Sequence, residues 1–172
     1  HNGSTGAPIW QKSYDGGLNN NDFGWGVVAN AAGDVFIAAQ VTQVLAQGTD
    51  ILVAKVAGIN GTQVWTDFVS GVVVVGGNNN DAGLGITLDA QGAVIATGGI
   101  RGFQDYDVWV RKYVDNGVSN TIQWTRTYNN GVGVADDIGY AVTTDAMNNV
   151  IVGGVETVVN QGGNMWVRKY DK

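Results

Sequence analysis

The chain contains no cysteine, which excludes a disulfide framework, a thiolate metal site and a cysteine nucleophile. It has one histidine, His1, so a Ser-His-Asp arrangement or a copper site built on several imidazoles has no second imidazole to draw on. Proline occurs once, at Pro8, and no stretch reads as a helix. Charge is also scarce, at 14% of residues, with a net value of −6. An acidic chain argues against a nucleic-acid backbone or an anionic membrane surface as partner, because both select basic patches. No hydrophobic run suits a signal segment or membrane insertion.

Glycine and β-formers are what the chain has in abundance. Twenty-seven glycines punctuate runs of Val, Ile, Thr and aromatics, and 44% of residues are hydrophobic. That composition predicts many short strands joined by glycine turns. The start at His1 rather than Met fits a processed precursor or an excised fragment, and the expected location is extracellular or cell-surface. Asn2-Gly3-Ser4 and Asn60-Gly61-Thr62 match the glycosylation acceptor pattern and would fit export.

One heptapeptide recurs at a constant interval of 57 residues. Asp107-Val108-Trp109-Val110-Arg111-Lys112-Tyr113 has counterparts in Asp50-Ile51-Leu52-Val53-Ala54-Lys55-Val56 and Asn164-Met165-Trp166-Val167-Arg168-Lys169-Tyr170. A period of this size indicates units that cannot bury their apolar faces without neighbours. Each unit divides into four strand-like stretches, here a to d. Strand d carries Trp10, Trp65 or Trp124, strand a carries small residues such as Gly24, Gly26, Gly83, Gly85 and Gly139, b is Val-rich, and c is the heptapeptide. The repeats run over about 8–61, 62–120 and 121–172, after a mobile arm at 1–7. Four strands per repeat, with small residues on the strand nearest a crowded axis, predict an all-β chain of three β-propeller blades.

The order of Trp in d, Asp-x-x-Gly before the Val-rich strand, and Asp-Val-Trp-Val-Arg-Lys-Tyr-x-x-x-Gly leading to the next Trp resembles the β-propeller repeats of secreted and surface-attached prokaryotic proteins. The resemblance covers nearly the whole chain after residue 7. It implies a binding, scaffolding or surface-display module and supplies no catalytic residues. Leu52, Val56 and Asn148 depart from the pattern at packing and turn positions.

Propellers close with about four to eight blades, and three are present. The d strand at 8–14 precedes the first a strand, so it belongs to whichever blade stands before the first. Ile9, Trp10 and Tyr14 would then form an assembly strand, donated to a second copy in a closed ring or a running filament. The expected partner is the chain itself, and the expected function is structural and non-enzymatic. The alternatives are a carbohydrate-binding propeller and a fragment of a larger surface-displayed propeller.

Two loop clusters are candidate sites. Asp22, Asp81, Asp136 and Asp137 lie in the d–a loops, where carboxylates and the amides of Asn19, Asn20, Asn21, Asn78, Asn79 and Asn80 could hold Ca²⁺; capping of the turns by the same groups is the favoured expectation. Arg101, Phe103, Gln104 and Tyr106 form a b–c loop whose composition suits glycans by stacking and hydrogen bonding, a composition that the equivalent loops at 42–49 and 156–163 do not repeat. The recurring Lys55, Lys112 and Lys169 are expected to snorkel along strand c.

Overall fold

The computed structural model describes residues 5–17, 20–43, 48–73, 79–131 and 135–172. Those residues form eleven strands and no helix. Strands β1 (Phe23–Ala29), β2 (Val35–Thr42), β3 (Thr49–Val56) and β4 (Gln63–Val69) make a first antiparallel sheet in chain order. A second contains β5 (Ala82–Leu88), β6 (Val94–Arg101), β7 (Tyr106–Asp115) and β8 (Asn120–Tyr128). The third contains β9 (Ile138–Thr144), β10 (Val150–Val158) and β11 (Gly162–Tyr170), with β11 at an edge. The all-β expectation holds, and the three sheets form no closed ring.

The turn between the first two strands of each sheet is built the same way. Asn30 Oδ1 accepts the amides of Ala32 and Asp34; Asp89 Oδ1 those of Gln91 and Ala93; Asp145 Oδ1 those of Met147 and Asn149. The fourth turn residue must then be left-handed, as Gly33 and Gly92 are, and Asn148 takes the same role at φ 64°. Next comes a repeated bulge. Register slips between Gly24 and Gly26, Gly83 and Gly85, and Gly154 and Gly153, leaving Trp25, Leu84 and Tyr140 without a cross-strand partner.

Alternation on the middle strands produces two apolar faces per sheet, and the sheets stack through them. Phe36, Ile51, Val53 and Trp65 of the first meet Val94, Ala96, Trp109 and Tyr113 of the second. Ile95, Val108 and Val110, on the opposite face of the second, meet Val150, Val152 and Trp166 of the third. A fully buried Val or Ile is worth about 1.5–3 kcal/mol, so these two interfaces dominate the stability. The first strands of the sheets approach closely, and glycine makes this possible: a Cβ on Gly85 would lie 2.9 Å from the Tyr140 carbonyl oxygen.

Three expectations change. Residues 8–14 are not a strand, because among the described residues no strand lies beside them to accept their backbone hydrogen bonds. The region 156–163, expected as a loop, continues the β10–β11 ladder to Val158↔Gly162, since Glu156 and Thr157 keep partners in Asn164 and Gly163. The lysines also differ from one another. Lys55 is buried and bridges Asp34 at 3.1 Å and Asp115 at 2.8 Å; Lys112 is buried against Asp89 at 2.9 Å. Only the Lys169 side chain, 51% exposed and paired with Asp145, reaches solvent as expected. Burial works against ionisation of Asp89, yet the Lys112 ammonium and the Ala93 and Gln91 amides hold its carboxyl below the ordinary range.

Replacing Lys112 with Met leaves Asp89 buried without its cation, a defect worth about 3–5 kcal/mol. Lys112→Met is therefore expected to destabilise by about that amount in urea unfolding, whereas Arg126→Met, at an exposed site, should change stability by less than about 0.5 kcal/mol.

Candidate functional site

Three carboxylates guard the entries to the first strand of each sheet. Asp22 accepts the amides of Gly16 and Thr42, Asp81 those of Gly71 and Arg101, and Asp137 those of Asn130 and Thr157. In each case one oxygen holds the segment arriving from the preceding unit, and the other holds the second strand of the carboxylate's own sheet. The Asp81 and Asp137 amides add a bond to the third strand of the preceding sheet, through Thr49 O at 2.6 Å and Tyr106 O at 2.8 Å. Asp136 Oδ1 accepts the Tyr106 amide at 3.2 Å. The carboxylates weighed as Ca²⁺ ligands against turn capping thus belong to three different turns, and each has an oxygen on a backbone amide. Among the described residues no three metal-ligating side chains come together. Asn19 and Asn78, also placed near that cluster by sequence, lie outside the described residues.

Asp81 is almost wholly buried. Burial outweighs its two amide donors and pushes its pKa up from 3.8 to about 6. Asp50 is moved in the same direction, also by burial.

A cavity of about 690 Å³ opens beside this region, at the loop end of the second sheet. Arg101, Phe103 and Gln104 line it together with Asp105, Asp107 and Asn129. Tyr106 lies under Arg101, with the guanidinium carbon 5.5 Å from its ring centre. Phe103 is 81% exposed at the cavity, and Arg101 Nε is buried with no partner among the described residues. The Asn129 amide donates to both Asp105 and Asp107. Burial raises the Asp107 pKa, opposed by that amide. Sequence reasoning found the arginine, aromatic and amide but missed the two carboxylates, which belong to the next strand and turn in the repeat.

A second cavity, of about 310 Å³, lies between residues 10–14 and the outer face of the first sheet. Trp10, Lys12 and Tyr14 form one wall, and Ile37, Leu52 and Val56 are on the other. Trp10 Nε1 donates to Gly58 O at 2.8 Å, and the indole lies on Gly61, where a Cβ would come within 2.7 Å of a ring carbon. Trp65 makes the corresponding bond to Oδ1 of Asp115, the last residue of β7 in the following sheet, at 3.0 Å. Trp124 packs on Tyr170 at the end of β11, at 6.1 Å between ring centres. Trp10 therefore stands to the first sheet as Trp65 does to the second and Trp124 to the third. Ile9 is exposed, and the Tyr14 hydroxyl has a raised pKa from burial and from Asp22.

At the far end of the molecule the outer face of the third sheet is open. Met165 is 88% and Val167 61% exposed. Their counterparts Ile51, Val53, Val108 and Val110 are fully buried. The heptapeptide alignment carried this signal, because Met165 and Val167 fall on positions that are apolar in every repeat.

The raised Asp81 pKa fixes a sign for pH dependence. Its folded pKa exceeds the unfolded one, so its contribution is complete below about 3.8 and is lost as pH rises through about 6. At about 1.4 kcal/mol per unit, the wild type should gain 2–3 kcal/mol relative to Asp81→Asn between pH 7 and pH 4. Paired unfolding curves at the two pH values check this, and a constant difference would refute it. No protein-family model matches the chain, and no curated protein matches it.

Proposed function

We infer that the three sheets are consecutive blades of a β-propeller and that the chain is a non-enzymatic, extracytoplasmic structural module that assembles with copies of itself. One observation carries self-assembly. Residues 10–14 occupy, against the first sheet, the position that β4 and β8 occupy against the next, yet they have no sheet of their own. The third sheet presents β11 as an edge, with an exposed apolar face beside it. An unpaired segment with the sequence of an outer strand and an unpaired edge are complementary, and each is a liability alone.

Assembly into a discrete multiple of the 18.0 kDa chain, or into filaments, is expected by light scattering and negative-stain imaging. Removing residues 1–14 should abolish it. A folded monomer at all concentrations would overturn self-assembly.

A second function is favoured by the larger cavity, which gathers Arg101, Phe103 and Gln104 with two carboxylates and an amide. An exposed ring beside planar polar groups suits the apolar face and hydroxyls of a sugar. Glycan-array binding that falls at least tenfold in Phe103→Ala is the expected result; no binding by the parent protein would remove this second function.

A further inference from the structure

The cavity behind residues 10–14 has two filled counterparts inside the same molecule. Between the first and second sheets, the space beside Trp65 is occupied by Phe36, Ile51 and Val53 of the sheet to which Trp65 itself belongs. Between the second and third, the space beside Trp124 is occupied by Ile95, Val108 and Val110 of the second sheet. Beside Trp10 no sheet stands among the described residues, and the wall of Ile37, Leu52 and Val56 faces a cavity. In the repeat, the side chains that would fill it are those at the positions of Ile51 and Val53, or of Val108 and Val110. Those are Met165 and Val167, the two exposed apolar residues of β11.

We propose that this cavity is the seat for Met165 and Val167 of a second copy, whose β11 pairs antiparallel with residues 10–14 in the register Lys169↔Trp10, Arg168↔Gln11, Val167↔Lys12, Trp166↔Ser13 and Met165↔Tyr14. This register rests on the self-assembly inferred above and specifies its contact.

Two internal pairings set that register. In the second sheet Lys112 pairs with Trp124, Arg111 with Thr125, Val110 with Arg126, Trp109 with Thr127 and Val108 with Tyr128. In the first, Lys55 pairs with Trp65, Ala54 with Thr66, Val53 with Asp67 and Leu52 with Phe68. The donated sequence Trp10-Gln11-Lys12-Ser13-Tyr14 matches Trp124-Thr125-Arg126-Thr127-Tyr128 residue for residue in character. Both internal ladders also slip just past the tryptophan, between Lys55 and Val56 and between Lys112 and Tyr113, leaving Val64 and Gln123 unpaired. Ile9 holds that place in the donated segment, which pins the register against sliding.

The charges permit the contact. Arg111 pairs with Asp67 across the first interface, but the residue equivalent to Arg111 in the first sheet is Ala54, so Lys12, at the position of Asp67, meets no cation there. The segment is held in place beforehand by Asp22 and by the Trp10–Gly58 bond, which lowers the ordering cost of pairing.

The absence of cysteine makes the register directly measurable. Arg111 Nε donates to Thr125 Oγ1 at 2.8 Å, so side chains at the equivalent pair, Arg168 and Gln11, should meet. The Gln11→Cys/Arg168→Cys chain is expected to form disulfide-linked multimers under mild oxidation at least tenfold faster than Lys12→Cys/Arg168→Cys, whose side chains project to opposite faces. Met165→Asp should keep the parent's circular dichroism and melting as a protomer, since the side chain is solvent-facing, and lose assembly at least tenfold in concentration. Assembly of the parent with equal cross-linking of both pairs, or undiminished assembly of Met165→Asp, would overturn this contact while leaving self-assembly in place. A parent that never assembles would overturn both.

Discussion

The carboxylate at the entry to each first strand, buried at Asp81 and Asp137 and half-buried at Asp22, is the tie on which the rest of the structure depends. A four-stranded sheet with two apolar faces has no independent reason to stop where it does or to present one face to a given neighbour. Asp81 and Asp137 supply that reason: their side chains fasten the strand leaving one sheet to the second strand of the next, and their amides reach back to the third strand of the sheet just left. The carboxylates are desolvated, and two short amide donors each are what make this tolerable. Stacking of sheets by hydrophobic area is non-directional; these carboxylates give it a direction and a register.

Repeat units can keep such ties while the groups supplying them move. In the first sheet the turn cap is Asn30, which has no charge for Lys55, and the carboxylate appears four residues later as Asp34. In the other two sheets one residue does both jobs, since Asp89 and Asp145 each cap the turn with one oxygen and hold a lysine with the other. The Arg111–Asp67 bridge has no counterpart one repeat later, where Arg126 stands at the position of Asp67. There Arg168 lies over the Tyr128 ring instead, 4.0 Å from its centre. The cations of strand c are paired in each sheet with whichever acceptor or π-face the local sequence provides.

Much of this was legible in the chain because it is local or periodic. The 57-residue spacing, the turn chemistry at Asn30, Asp89 and Asp145, and the alternation of strand c all follow from neighbours a few residues apart. Properties supplied by a neighbouring strand or sheet were not. Lys55 and Lys112 read as snorkelling side chains until the next sheet covers them. Residues 8–14 have the sequence of a strand and lack the ladder that would make them one, since a strand is defined by its partner. The larger cavity mixes residues from three loops and from β6, β7 and β8, whose meeting no spacing rule encodes, so only the Arg101–Gln104 part was visible.

The geometry also bears on why a second copy, rather than the same chain, would complete the third sheet. Residues 10–14 stand beyond the outer face of the first sheet, and β11 lies two sheets away. To pair them within one chain, three sheets would have to bend into a ring, whereas closure ordinarily needs about four to eight. The interdigitated cores and the approach of Gly85 to the backbone at Tyr140 resist a change in the way neighbouring sheets pack. Two chains related by a two-fold axis would give six sheets, inside that range, with two identical strand exchanges and no edge left over. A slightly different angle would leave the same contact unclosed and propagate it as a fibre. On the proposed contact, the choice between ring and filament would lie in the packing between sheets, and assembly itself in residues 10–14 and the outer face of β11.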